Sequence, residues 1–293
     1  MQRINVLKTY KIFINGQFPR TESGRYYELR DKRGTVIANL CQSSKKDFRN
    51  AVVAARTAFP GWSGRAAFNR SQILYRVAEM LEGRHAQFTE ELIAQGLTKK
   101  KAVEEVSKSV DRLIYYSGWC DKYASVFSSV NPVSGPFHNF SVPGPSGVVS
   151  LIAPGDKGLL GLVSTLAPVL AGGNTCVVLA GWNQALAAVT FAEVLATSDL
   201  PAGVVNLLTG SEEELLTHFS SHMDVNAIVY CGENATSKKI AMENCATNVK
   251  RFVEWNRDWT KAESADPYLI MDLQEIKTSW MPVDDHGSGQ NRY

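Results

Sequence analysis

Residues 147–179, GVVSLIAPGDKGLLGLVSTLAPVLAGGNTCVVL, decide the fold of this chain. Two runs of apolar and β-branched residues, 147–153 and 175–179, enclose an apolar run with helical spacing, 159–170. The two outer runs are continuously apolar, which is typical of strands that are covered on both faces of a parallel sheet. A strand, a helix and a second strand in this order predict one right-handed crossover unit of such a sheet.

The same alternation continues toward the C-terminus. The sequence predicts, in order, helix 185–196, strand 204–209, helix 212–219, strand 227–230 and helix 236–245. Strands that alternate with helices in this way predict an α/β fold, in which helices flank both faces of a parallel, doubly wound sheet.

The periodicity is different on the N-terminal side. Residues 10–18 are predicted to form a hairpin, because Asn15-Gly16 favours a type I′ turn, and residues 35–40 read as another extended segment. Apolar residues at helical spacing then predict three amphipathic helices, at 45–59, 69–88 and 103–123. A Ser-, Pro- and Gly-rich stretch, 126–145, ends in a β-like run and is expected to leave the globular body.

The composition excludes several classes of partner. The 293 residues carry a net charge of only +2, so neither nucleic acid nor an anionic membrane surface is an expected partner. The longest apolar run, 159–171, is too short to span a bilayer. Five widely spaced cysteines predict reduced, buried thiols, and the N-terminus lacks the apolar region of a secretory signal. We therefore expect a cytoplasmic protein.

Two local motifs have ordinary explanations. His218 and His222 are spaced as in zinc-binding helices, but the glutamate of that motif and a third ligand are missing, so surface histidines are expected. Three consecutive lysines, 99–101, are expected to form a solvated face and not a phosphate site. No metal site is predicted.

Six short sequence motifs resemble motifs of the aldehyde dehydrogenase superfamily and occur in the family's order and approximate spacing. They extend over most of residues 10–253 and are Phe13-Ile-Asn-Gly16, Ala54-Ala-Arg-Thr-Ala-Phe-Pro-Gly-Trp62, Tyr115-Tyr-Ser-Gly-Trp119, Gly147-Val-Val149, Leu166-Ala-Pro-Val-Leu-Ala-Gly-Gly-Asn-Thr175 and Leu200-Pro-Ala-Gly-Val-Val-Asn206. The resemblance implies a Rossmann-like NAD(P)-binding domain, a catalytic domain and a small oligomerisation domain. The chain is similar in particular to the truncated, degenerate second module of two-module enzymes of aldehyde dehydrogenase family 16.

The positions that carry the family's chemistry differ in this chain. The resemblance aligns Asp156 with the asparagine whose amide stabilises the oxyanion, and an ionised carboxylate cannot donate that hydrogen bond. Glu254 is offset by one residue from the family's general base, and no cysteine follows Cys245 to act as the nucleophile. The resemblance therefore implies that no residue of this chain is catalytic.

The cofactor positions also differ. Where the family has a lysine and a glutamate for the adenosine ribose, this chain has Leu179 and Trp182. Glu233 replaces the serine that lies against the pyrophosphate, although Gly232 keeps the turn before it. We expect Glu233 in the first turn of the next helix, where its carboxylate complements the helix dipole and occupies the anion site. Neither NAD nor NADP is an expected cofactor.

A C-terminal segment resembles the family's oligomerisation strand. It spans residues 272–280, DLQEIKTSW, and four of its residues are expected at an assembly surface: Leu273, Ile276, Thr278 and Trp280. An exposed edge strand is a template for β-strand addition. The expected domains are a degenerate NAD(P)-binding-type domain at 1–124 and 146–258, an oligomerisation arm at 125–145 with 266–284, and a tail at 285–293.

The sequence favours a non-catalytic subunit, a pseudoenzyme that assembles with itself or regulates an oligomer with an active aldehyde dehydrogenase. Two alternatives remain open. One is an NAD(P)-dependent aldehyde dehydrogenase that is active only when another chain donates the nucleophile. The other is a sensor that binds a different ligand in the old nucleotide cleft.

Overall fold

The computed structural model of the chain describes residues 6–155 and 157–283. The strands are β1 (Thr9–Tyr10), β2 (Tyr26–Arg30), β3 (Val36–Cys41), β4 (Ser129–Asn131), β5 (Phe137–Pro145), β6 (Val148–Ile152), β7 (Thr175–Leu179), β8 (Val205–Leu208), β9 (Ala227–Tyr230), β10 (Arg251–Glu254) and β11 (Gln274–Pro282). The helices are α1 (Lys45–Ser63), α2 (Ala67–Glu82), α3 (His85–Ala94), α4 (Lys99–Ser117), α5 (Tyr123–Phe127), α6 (Leu160–Ala171), α7 (Ala185–Ala196), α8 (Glu212–Ser221), α9 (Ala235–Thr247) and α10 (Tyr268–Met271). Within these residues, no helix is long and apolar enough to cross a membrane.

The centre of the molecule is a five-stranded parallel sheet in the order β10-β9-β6-β7-β8. Residues that alternate along its strands enter two separate apolar cores, one on each face. Val149 and Leu151 of β6 share one core with helices α6 and α7. Val148 and Ile152 share the other core with residues of α1, α8 and α9. The predicted α/β class, with helices on both faces of a parallel sheet, is thus confirmed.

The N-terminal segment docks on the edge of this sheet and does not form the predicted hairpin. Asn15 and Gly16 have φ values of 53° and 72°, as a type I′ turn requires. The residues on either side of this turn form one antiparallel bridge, Ile14 to Gln17, and no longer ladder among the described residues. Phe13 instead pairs with Leu207 of β8, and the Asn15 amide donates to the buried Asn206 side chain at 2.9 Å. Strand β1 pairs in parallel with β3. The N-terminal segment therefore pairs with β8 and β3, which are distant in sequence, and not with itself as a hairpin.

Each of the three predicted N-terminal helices has different bounds in the structure, and α1 extends to Ser63 where residue 59 was the expected end. The single helix expected at 69–88 is two helices, because α2 ends at Glu82 and α3 begins at His85. The helix expected at 103–123 begins at Lys99, where Thr98 accepts a hydrogen bond from the Lys101 amide and caps the helix. It ends at Ser117, six residues before the expected end. The start of α1 has a complete capping box between Ser44 and Asp47.

A second sheet leaves the body as an arm, defined here as β4, β5 and β11. The order is β11-β5-β4, all antiparallel, and the nine residues of β11 pair continuously with the nine of β5. Among residues 6–155 and 157–283, strand β11 is an edge of this sheet, and its residues from 275 to 282 are exposed. Ile276, Thr278 and Trp280 occupy alternate positions and so share one face of this strand. Residues 284–293, which include the expected tail, lie outside the described residues.

Leu273 does not belong to that surface. Its side chain is 0% exposed and packs in the main core beside Leu269 and Ile270. It precedes β11 and contributes to the body of this chain. Its expected place on the assembly surface is therefore wrong, because apolar alternation alone does not show where an edge strand leaves the core.

Residues 255–266 cross the body between β10 and the arm and are called the crossing segment. Trp255 and Trp259 are buried in the main core. Three side chains of α4, spaced i, i+4 and i+8, donate to carbonyls of this segment. Lys108 donates to Thr260 at 2.8 Å, Arg112 to Trp259 and Lys261 at 3.1 Å each, and Tyr116 to Asp266 at 3.1 Å. One face of α4 thus holds the crossing segment over the core.

Candidate functional site

A cleft of about 360 Å³ lies at the carboxyl ends of β6, β7 and β9. In a parallel sheet this edge is where ligands bind, because the loops there diverge to opposite faces. Leu179, Trp182, Gly232 and Glu233 all line this cleft. The four positions selected from the sequence therefore converge in one place.

Trp182 forms one wall of the cleft, and its ring stacks on the ring of Tyr27. Its ring lies 3.8 Å from the Tyr27 ring, with 14° between the planes. The Tyr27 hydroxyl donates to the Trp182 carbonyl at 3.3 Å. Tyr27 is buried, and Trp182 remains 40% exposed. An indole that is held in this way offers a flat apolar surface where a ribose would need hydrogen-bond partners.

The start of α9 is already capped by the chain itself. The Asn234 side chain accepts the amides of Thr236 and Ser237 at 2.9 and 3.2 Å. Glu233 precedes this N-cap and is exposed, so its expected position in the first helical turn is wrong. Its carboxylate still lines the cleft beside the helix start. A phosphate at this point would have to displace Asn234 and approach Glu233.

A second carboxylate faces the same space. The Tyr230 hydroxyl donates to Glu212 Oε1 at 3.0 Å, and burial together with this carboxylate raises the pKa of Tyr230. A Cβ atom placed on Gly232 would lie 2.5 Å from the same hydroxyl, so only glycine fits there. Glu212 and Glu233 both line the cleft, and none of its described lining residues is cationic. The described lining of the cleft is therefore acidic in character.

Cys231 carries the thiol at the rim of the cleft. Cys231 is half-buried, and burial raises its pKa, so the reactive thiolate is disfavoured at neutral pH. All five cysteines are free, and the other four are buried, as the sequence predicts. Glu254 forms an ion pair with Lys238 at 2.5 Å. Asp156, which the resemblance aligns with the oxyanion asparagine, lies outside the described residues.

A buried carboxylate that sequence reasoning missed occupies the start of α6. Glu105, on α4, accepts the amides of Leu159 and Leu160 at 3.1 and 3.3 Å. These two amides come three and four residues after position 156 in the sequence. Because Glu105 already accepts their hydrogen bonds, they are not available to stabilise an oxyanion. No local motif marks Glu105, since its partners are more than fifty residues away.

Of the two motif histidines, His218 lies on α8 and His222 directly follows that helix. Within residues 6–155 and 157–283, no group of three or more His, Cys, Asp or Glu side chains is placed to hold a metal ion. His222 accepts the Asp224 amide through Nδ1 at 3.2 Å and contacts the Phe48 ring edge-on.

Comparisons with known proteins agree on one family. The profile of the aldehyde dehydrogenase family matches residues 19–254. The chain is 33% identical over 250 residues to the cytosolic 10-formyltetrahydrofolate dehydrogenase of Xenopus tropicalis, with 83% of this chain and 28% of that protein covered. It is 31% identical over 250 residues to the omega-crystallin of Enteroctopus dofleini, with 84% and 50% covered.

The fold comparison gives the same result. The NAD⁺ complex of an aldehyde dehydrogenase from Bacillus cereus superposes with a TM-score of 0.80 at 25% identity. The match covers 84% of this chain and 50% of that one, so the chain spans half or less of the length of these relatives. The crossing segment and β11 follow the matched residues. Since the family profile covers well over half of the chain, this chain belongs to the aldehyde dehydrogenase family.

Proposed function

We propose that this chain is a cytoplasmic, non-catalytic aldehyde dehydrogenase-like subunit that acts in the assembly or regulation of an oligomer. Its partner is a second copy of the chain or an active aldehyde dehydrogenase. Five free cysteines support a reducing compartment.

The arm carries this proposal. Strand β11 presents a nine-residue edge, and an unpaired edge of this length is a template for another strand. Ile276 and Trp280, on one face of β11, are 56% and 61% exposed. Large apolar side chains that share a face beside unpaired backbone groups are typical of a surface that is covered in an assembly.

The cleft supports the non-catalytic part of the proposal. Two carboxylates face the place where a pyrophosphate would lie, and Asn234 caps the helix that would receive it. Burial raises the pKa of Cys231, which favours the thiol over the thiolate. We therefore propose that the chain uses neither NAD nor NADP and has no dehydrogenase activity of its own.

Light scattering of the purified chain, alone and mixed with a full-length aldehyde dehydrogenase from the same source, tests the proposal. NADH formation from aldehydes is followed in the same samples. We expect an oligomer or a mixed complex, and no turnover by the chain alone. A monomer that forms no complex, or a chain that oxidises aldehyde by itself, would overturn the proposal.

A further inference from the structure

The cleft at the carboxyl ends of β6, β7 and β9 is an open space of about 360 Å³, a volume within the range of small-molecule sites. Its lining includes four glycines: Gly155, Gly181, Gly210 and Gly232. Because glycine has no side chain, much of this wall is backbone and the space stays unfilled. The chemistry of the other lining residues then decides which kind of molecule the cleft suits.

Glu212 and Glu233 are the charged side chains among the described lining residues of the cleft. Neither carboxylate forms an ion pair with another described residue. Glu214, two residues after Glu212 on α8, does have such a partner, since it pairs with Arg25 at 2.7 Å. Two carboxylates that line one cavity without a cationic partner favour a ligand that brings positive charge.

The carboxylate of Glu212 is anchored and keeps one oxygen available. The Tyr230 hydroxyl donates to Glu212 Oε1 at 3.0 Å, and Tyr230 is 0% exposed. Among the residues that the structure describes, none donates to Glu212 Oε2. An ionised carboxylate can only accept hydrogen bonds, so this oxygen suits a ligand that is both cationic and a donor.

Trp182 supplies a flat aromatic surface in the same cavity. One face of its indole is covered by the Tyr27 ring at 3.8 Å, yet the residue is 40% exposed. The accessible part of the ring is therefore its opposite face and its edge, and Trp182 lines the cleft. Indole attracts cations more strongly than the other aromatic side chains, and it also stacks on flat apolar groups.

We propose that the cleft binds an arylalkylammonium ion, that is, a protonated amine joined to a flat apolar group. The ammonium group donates to Glu212 Oε2 and is attracted by Glu233, and the flat group stacks on Trp182. A metal ion is a poorer match, because within residues 6–155 and 157–283 no three His, Cys, Asp or Glu side chains are placed to hold one. Amine binding is separate from the proposed assembly, since the cleft and the arm share no described residue.

Calorimetry of the full chain with phenethylamine, at low salt and neutral pH, tests this proposal. Two ligands of similar shape are compared with it: phenethyl alcohol, which is neutral, and hydrocinnamate, which is an anion. We expect saturable binding of the amine, binding of the alcohol that is weaker by at least about tenfold, and no binding of the anion. Added salt should weaken the binding of the amine but not that of the alcohol.

Variants of the cleft give a second readout. The double variant Glu212→Gln with Glu233→Gln should weaken amine binding at least about tenfold without weakening the binding of the alcohol. A matched variant, Glu90→Gln with Glu263→Gln, removes the same charge from exposed positions elsewhere and should bind like the wild type. Trp182→Ala should weaken the binding of both ligands. Circular dichroism checks that each variant is folded.

Three outcomes would overturn the proposal. One is the absence of saturable amine binding to the wild type. Another is equal affinity for the amine and the alcohol, which would mean that the cleft is an apolar pocket without selectivity for charge. The third is an equal loss of amine binding in the two double variants, which would mean that the net charge of the chain and not the cleft attracts the amine.

Discussion

Trp182 and Glu233 show how single residues alter the character of a binding site while the fold around them is unchanged. The Rossmann-like sheet still forms a cleft, but an indole stacked on Tyr27 and two carboxylates now line it. At about 4 Å and an effective dielectric of about 20, one carboxylate repels one phosphate charge by about 4 kcal/mol. A repulsion of about 1 kcal/mol, as in a well-solvated cleft, would already weaken dinucleotide binding about fivefold.

The wild-type chain should therefore give no saturable heat with NAD or NADP at millimolar concentration. The expected reason is the combined repulsion from Glu212 and Glu233, together with the helix start that Asn234 already caps. Isothermal titration calorimetry measures this directly, and the active dehydrogenase used in the mixing experiment serves as the positive control. A clear saturation curve for the chain alone would contradict the interpretation of the cleft.

Lys250 provides a residue-scale prediction about stability. Its ammonium group is buried and donates to the carbonyls of Ser220 and His222 at 2.9 and 2.8 Å, and no carboxylate among the described residues pairs with it. Burial lowers the pKa of Lys250 to about 8, whereas the unfolded chain keeps a lysine pKa of about 10.4. Between these two values the unfolded state binds more protons, so this residue's contribution to stability rises with pH.

The wild type should gain about 1 kcal/mol of unfolding free energy relative to Lys250→Met between about pH 8 and pH 9. Urea unfolding at the two pH values measures the difference. The exposed lysine variant Lys239→Met is the control, and its difference from wild type should not change with pH. If the difference in unfolding free energy between the wild type and Lys250→Met also stays the same at the two pH values, the amine is not buried in its charged form.

Residue-scale reasoning found the cleft but not the residues that modify it. Leu179, Trp182, Gly232 and Glu233 follow from aligned motif words, and they converge as such an alignment implies. Tyr27, Glu105 and Asn234 were missed. Tyr27 and Glu105 form hydrogen bonds with residues that are 155 and more than fifty positions away in the sequence. Only the tertiary fold brings these partners together. Asn234 was open to prediction, because asparagine is a preferred N-cap and it directly precedes the helix.

At the scale of elements, buried strands and helices were the most predictable. Strands β7 and β9 and helix α7 have the predicted bounds, because continuous burial requires uninterrupted apolar residues. The break between α2 and α3 at Gly83 was missed, since apolar residues such as Phe88 continue the helical spacing beyond it. The N-terminal hairpin was overestimated because Phe13 finds a partner in β8.

The crossing segment was not predicted at all, since it has no periodic pattern. It is fixed by three side chains of α4 and by two buried tryptophans. Trp255 donates through Nε1 to Asp272 at 2.8 Å, which links the segment to the residues that precede the arm. The crossing segment therefore packs in the core of the body and also contacts the residues from which β11 begins.

Trp259→Ala should lower the free energy of unfolding by about 3 to 5 kcal/mol, because it leaves a large cavity where an indole is buried. Trp182→Ala is the matched control. It removes the same side chain from a half-exposed site, so its cost should be smaller by at least about 1 to 2 kcal/mol. Denaturant unfolding monitored by circular dichroism compares the two. Equal losses would mean that the crossing segment does not cover the core in solution.

At the scale of the whole molecule, the parallel sheet and the arm have different roles. The sheet is closed on both faces by helices and by the crossing segment. The arm, in contrast, has an exposed edge strand with apolar side chains on one face. The proposed assembly function depends on this asymmetry, because the described body buries both of its apolar cores whereas the arm exposes a strand edge.

The mass in solution of the double variant Ile276→Asp with Trp280→Asp tests the assembly proposal most directly. Phe68→Asp is the matched control, because Phe68 is 64% exposed on α2 and is as accessible as Trp280 at 61%. Multi-angle light scattering at equal concentration, with circular dichroism to check folding, gives the result. We predict that the wild type and Phe68→Asp are oligomeric, alone or with the active partner, and that the arm variant is a folded species of lower mass. An arm variant whose mass is unchanged from that of the wild type would contradict the account.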